Sequence, residues 1–177
     1  MATAKKLAGE LGVEDALDDG VYQRLNNNRD NRDSLLSIVS DSYRMLNRYL
    51  KENDREEISA LVIAGGWVEG LYIACTHYTE GNEMLGKRIA EQKYVLSDLM
   101  GLMETYKETE LLSDVIADLE SLQSTYDSVE LKKGKTETFK DESGTMVIGG
   151  SSSYSLSEED VAAITAKVNE IRSNYIQ

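Results

Sequence analysis

Apolar residues recur at helical spacing along most of the chain. Short amphipathic stretches fall at about 3–11 and 13–25, followed by a polar joint from Asn26 to Asp33. Asp33 is the expected N-cap of the next helix, because a short carboxylate can accept the free amides of a first turn. That helix runs to about Lys51, with Leu36, Val39, Tyr43, Leu46 and Leu50 spaced 3, 4, 3, 4. Asn53-Asp54 breaks the pattern, and Asp54 is placed to cap a fourth helix over about 55–78. Gly81-Asn82 then separates it from a fifth over about 83–107.

The fifth helix carries a heptad: Leu85, Ile89, Gln92, Leu96, Leu99, Met103 and Tyr106. A sixth, over about 109–131, repeats the spacing with Leu112, Val115, Leu119, Leu122, Tyr126 and Val129. Two such seams joined by the short link around Lys107 to Thr109 predict an antiparallel helical hairpin. Ser157 is the expected cap of a last helix, with Val161, Ile164, Val168, Ile171 and Tyr175 spaced 3, 4, 3, 4. No internal repeat aligns these helices with one another.

The period changes between 132 and 156, a stretch rich in Gly, Ser and Thr. Thr136 to Lys140 and Thr145 to Ile148 alternate as strands around Asp141-Glu142-Ser143-Gly144, which reads as a hairpin turn. Pairing Lys140 with Thr145 sets Phe139 opposite Met146 and gives one face Phe139, Met146 and Ile148. A lone hairpin is marginal in water, so that face is expected to dock on the bundle or on a partner; a disordered linker is the alternative. The fold class is therefore all-α: one antiparallel helical bundle over 1–177, with a β-hairpin or loop insertion at 132–156 before the last helix.

The most informative stretch is Ala60 to Cys75, apolar nearly all round, which predicts a buried central helix. Gly65, Gly66 and Gly70 lie inside it, and each mid-helix Gly costs about 1 kcal/mol relative to Ala. Gly66 and Gly70 are one turn apart, so close approach of a neighbouring helix is the expected compensation. A ligand pocket formed by Gly65, Gly66, Trp67, Glu69 and Tyr72 is the alternative. Glu69 is the single charge in this run, and a buried carboxylate needs a partner or a proton. Lys93 and the arginines of the third helix are conceivable partners.

Composition narrows the chemistry further. The chain has 19 Lys+Arg against 32 Asp+Glu, a net charge of −13, one His, one Cys and no Pro. Such an acidic chain lacks the basic stripe that nucleic acid or an anionic membrane requires. One Cys forms no internal disulfide, and one His rules out the paired Glu-x-x-His di-iron pattern. His77 and Glu80 share a helix face but lack a second His, so no metal site and no cofactor are expected. Cys75 and His77 point apart on a helix, and neither they nor any Ser/His/Asp set forms a catalytic group. Glu110, Asp114 and Asp118 form an acidic stripe that reads as a solvated helix face, with a basic partner surface as the alternative. The apolar run falls short of the roughly 20 residues a membrane helix needs, so no direct membrane insertion is expected.

The string Ala60-Leu61-Val62-Ile63-Ala64-Gly65-Gly66-Trp67-Val68-Glu69-Gly70-Leu71-Tyr72, with Asp33-Ser34-Leu35-Leu36 before it and Glu91-Gln92-Lys93 after it, resembles a family of helical envelope lipoproteins of Bacteroides-type gut bacteria. The resemblance covers roughly residues 5–130. It implies a helical fold and an envelope location, with anchoring through a part not present here. It brings no activity and no catalytic residues. The expected function is a non-catalytic binding or interaction module with a protein partner or self-association; a small-molecule binder beside Trp67, Glu69 and Tyr72 comes second, and an enzyme third.

Overall fold

A computed structural model describes residues 2–132, 136–140, 146–150 and 153–176, with side chains outside 131–140, 147–150 and 153. The fold is an all-α helical bundle with paired strands ahead of the last helix. Its helices are α1 (Ala2–Glu10), α2 (Asp19–Asn27), α3 (Arg32–Glu52), α4 (Glu56–Thr76), α5 (Glu83–Glu104), α6 (Ser113–Thr125) and α7 (Glu158–Tyr175). Two compact units divide the chain, Met1–Val62 and Ile63–Gln177.

In the first unit, Ala8, Val13, Leu46, Leu50 and Ile58 form the core. Val13 belongs to a turn, and α2 starts only at Asp19, capped by Asp18, whose carboxylate accepts from the Val21 amide. The expected helix from residue 13 is thus interrupted, with Gly12 at φ +62° in the left-handed region that suits glycine. The cap of α3 is Asn31, not Asp33; its side chain accepts from the Ser34 amide at 2.9 Å. Asp54 does not open α4. It sits at φ +53°, just past the Asn53 C-cap, and so closes α3 in the left-handed conformation that Asp tolerates.

The phase of α3 also departs from expectation. Ile38, Ser42, Leu46 and Leu50 are buried, a regular four-residue spacing, while Leu36 and Val39 are exposed. Ser42 escapes notice in a hydrophobic count because its hydroxyl is satisfied locally, donating to the Ile38 carbonyl at 2.7 Å. Tyr43 instead meets Ser59, which in turn donates to Asn47 at 2.8 Å.

The second unit follows its heptads closely. Ile89, Leu96, Leu99 and Met103 of α5 are buried, as are Leu112, Val115, Leu119, Leu122, Tyr126 and Val129 along and around α6. α6 packs against both α5 and α7, whose Val161, Ile164, Val168 and Ile171 are buried in turn. The sixth helix is shorter than expected. A 3₁₀ turn, Glu110–Leu112, precedes it and the helix ends at Thr125, although the apolar phase continues through Tyr126 and Val129. Tyr126 is wholly buried and its hydroxyl donates to the Ile89 carbonyl at 3.0 Å, locking α5 to the end of α6. Lys93 caps the same end, donating to the Val129 carbonyl at 2.8 Å. Of the acidic stripe, Glu110 and Asp114 are exposed, while Asp118 meets the Tyr175 hydroxyl and partial burial raises its pKa.

Ser157 caps α7 as expected, in a full capping box with Asp160. Hydrogen bonds from the Ser128 hydroxyl, then from the Ser157 amide and hydroxyl, lower the pKa of the Asp160 carboxyl. A carboxylate whose folded pKa is depressed stabilises fully above its ordinary value and loses that contribution as pH falls through the folded one. Ser157→Ala should therefore cost about 1 kcal/mol at neutral pH. Asp160→Asn should flatten the acid side of the stability profile, which urea melts between neutral and acidic pH will measure.

The insertion is a pair of short antiparallel ribbons. β1 (Glu130–Lys132) pairs with β4 (Ser153–Ser155), and β2 (Thr136–Lys140) pairs with β3 (Met146–Gly150). The register is one residue from the expected one. Lys140 pairs with Met146 and Phe139 with Val147, so residues 141–145 rather than 141–144 separate the arms. Phe139 and Met146 are thus not cross-strand partners, and Thr138 stands opposite Ile148. Met146 is 59% exposed, so the bundle does not cover it. The side chains of Phe139 and Ile148 and the turn itself lie outside the described residues. The Tyr154 hydroxyl ties β4 to the start of α5, donating to the Glu83 carbonyl at 2.8 Å.

Candidate functional site

α4 is long and apolar enough to cross a membrane by length and composition alone, a test that core helices of soluble proteins also pass. The expectation that it falls short rested on the uninterrupted run; the helix itself extends 21 residues. Its buried line is Ala60, Ala64, Val68, Leu71 and Cys75. At 3.6 residues per turn these positions share one face. Cys75 is a small core residue, and burial pushes its thiol pKa up.

The expected tight contact at the glycines is absent. Gly66 and Gly70 are exposed, and among the described residues a Cβ on Gly65, Gly66 or Gly70 would meet no atom within 4 Å beyond the helix's own neighbouring backbone. An all-round apolar pattern did not mean all-round burial: only 39% of the most apolar stretch is covered within the chain. Gly66 and Gly70 instead run in an open line with Ile73, which is 49% exposed.

Beside this line lies a shallow groove of about 250 Å³, lined by Ile63, Trp67, Val95, Asp98, Leu99 and Leu102. Ile63 and Trp67 come from α4, the rest from α5. Val95 is 42% exposed. The indole N–H of Trp67 donates to the Gln92 side chain at 2.9 Å, fixing the ring as a wall of the groove. Gln92 therefore interrupts the apolar seam of α5 for a reason: it satisfies the one polar atom of the tryptophan.

Glu69 and Tyr72 face another way. Arg172 of α7 donates to Glu69 through Nε at 2.6 Å and Nη2 at 3.3 Å, and its guanidinium stacks over the Tyr72 ring at 4.2 Å. The partner of Glu69 is thus Arg172, not Lys93 or an arginine of α3. The Glu69 side chain is 45% exposed, so it is neither a buried carboxylate nor a pocket acid. The expected cluster of five is split: Trp67 lines the groove and Gly66 the open line, while Glu69 and Tyr72 belong to the junction with α7, and Gly65, four and seven positions before them, shares their side of the helix. A double-mutant cycle of Glu69→Gln with Arg172→Met should show a small favourable coupling that salt reduces, as expected of a partly exposed pair.

The spacing patterns did not single out Val95, Asp98, Leu102 or Arg172, and Ile63 stood only as part of the apolar run. The available signal was the α5 phase, which leaves Val95, Asp98 and Leu102 beside the seam with apolar residues in surplus. Two further hollows, of about 260 and 300 Å³, flank Tyr22 in the first unit. The Lys5–Asp19 ion pair lines both, with the Lys5 ammonium 5.2 Å from the Tyr22 ring centre. Among the described residues no three His, Cys, Asp or Glu side chains converge as metal ligands. His77 turns its Nδ1 to the Ile73 carbonyl at 2.9 Å.

No family model, curated protein or solved structure matches the chain. The class of protein defined by fold and site is an all-α bundle that presents an open apolar helix face.

Proposed function

We propose that the chain is a non-catalytic interaction module whose working surface is the open face of α4 together with the groove beside Trp67. One observation carries this reading: Gly66 and Gly70 sit mid-helix and one turn apart, with open space where their side chains would be. Mid-helix glycine weakens a helix, and among the described residues no atom of another element enters the space. A partner that approaches the α4 backbone closely would use it. Exposed apolar Ile73 and Val95 flank the same surface, and contiguous apolar patches mark interaction sites.

The shallowness of the groove favours a macromolecular partner over a small ligand, since small-molecule sites are enclosed and run to about 300–1,000 Å³. The resemblance to envelope lipoproteins supports an envelope setting. The test is a photoreactive residue in place of Ile73, expressed in the native host. A cross-linked protein adduct that disappears when Gly66→Leu is added supports the reading. Absence of any adduct, or one indifferent to Gly66→Leu, overturns it.

A further inference from the structure

We infer that the occupant of this face is a basic amphipathic helix of a partner protein, an inference that rests on the open-face reading above. Gly66 and Gly70 leave a smooth track one helical turn long. Small residues at that spacing let a second helix axis come close. The groove beside it is lined by the apolar side chains of Ile63, Trp67, Val95, Leu99 and Leu102 with Asp98 among them, so it suits a row of aliphatic side chains on that second helix.

Charge decides between partners. The only charged residue lining the groove is Asp98, exposed and without an ion-pair partner among the described residues. Glu69, on the flank of α4, is already matched by Arg172. The surrounding sequence amplifies the sign: residues 54–131 hold 16 acids against 5 bases, in a chain of net charge −13. A second copy would bring like charge against like, which disfavours self-association. A helix with leucine-type residues on one side and lysine or arginine beside them places its apolar ridge in the groove and a cation against Asp98. Helix-in-groove docking of this kind is a recurring mode of recognition.

The experiment uses the whole chain and two synthetic helical peptides without tryptophan, one patterned with Leu and Lys and the other with Leu and Glu. Trp67 is the only tryptophan, so its emission reports this site directly. The Leu/Lys peptide should shift Trp67 emission to the blue and saturate. The Leu/Glu peptide should bind at least about tenfold more weakly, and Asp98→Asn should weaken the Leu/Lys peptide several-fold and lower its salt dependence. Gly66→Leu should abolish the shift while circular dichroism stays helical.

Equal binding of the two peptides, or an Asp98→Asn variant that binds like the parent, overturns the basic partner while leaving the open face as a docking surface. Sedimentation showing a dimer that Gly66→Leu dissociates does the same and makes a second copy the occupant. Binding to neutral lipid vesicles through Trp67 with neither peptide bound replaces the protein partner with a membrane. Leu/Lys binding that survives Gly66→Leu overturns the open-face reading itself, and so does a Trp67 that responds to none of these probes.

Discussion

Leu119→Ala is expected to destabilise the second unit by about 2–5 kcal/mol, enough to remove much of a typical domain's margin. Leu119 is fully buried in the middle of α6, the helix that packs on both α5 and α7. Truncation there removes a buried side chain and leaves a cavity between three helices, whose seams are pinned at their ends. The Tyr126 hydroxyl ties α6 to α5, and Ser128 with Asp160 ties the following turn to the start of α7. Those restraints limit how far the helices can collapse into the space, so the upper half of the range is expected. Urea melts followed by circular dichroism will measure the loss. A parallel melt of Leu111→Ala should move little, because Leu111, in the 3₁₀ turn before α6, is 52% exposed.

The α5–α6 seam and α7 were legible from spacing alone because each of these helices buries one stripe against helices close in sequence. Periodicity carries that information, and short links fix the neighbours. The first two helices and α3 were less legible. There the interior includes Ser42, whose hydroxyl is spent on its own helix, and Val13, which belongs to a turn instead of a helix. A count of apolar residues therefore selected Leu36 and Val39, which face outward. The register of β2 and β3 failed for a different reason. Strand alternation fixes which residues share a side only once the turn length is known, and one added residue exchanges every cross-strand partner.

The candidate site was half legible. The Gly-Gly-Trp-x-Glu-Gly string drew attention to the right helix, and Trp67 and Gly66 do lie on its open face. Sequence could not separate that face from the Glu69–Tyr72 side, because the separator is Arg172, about a hundred positions away on α7. Nor could it tell burial from exposure. A helix that is apolar all round looks the same whether its neighbours belong to its own chain or to a partner.

That ambiguity yields a prediction with opposite signs for stability and for binding. If the glycines of α4 served internal packing, enlarging them would overpack the contact and cost about 1–3 kcal/mol. The open space above Gly66 and Gly70 dictates the reverse. Both sit in regular helix without a left-handed backbone, so a methyl group meets no clash and lowers the entropy of the unfolded chain. Gly66→Ala with Gly70→Ala should therefore stabilise the protein by roughly 1–2 kcal/mol in all, at about 0.4–1 kcal/mol per site. The same double variant holds a partner helix farther from α4 and should weaken Leu/Lys peptide binding by about tenfold, or 1.4 kcal/mol. Urea melts and Trp67 emission on the same protein measure the two effects together. A double variant that is less stable than the parent places the glycines in the folding core. One that is more stable and still binds with full affinity removes the docking role and leaves the exposed glycines without a use.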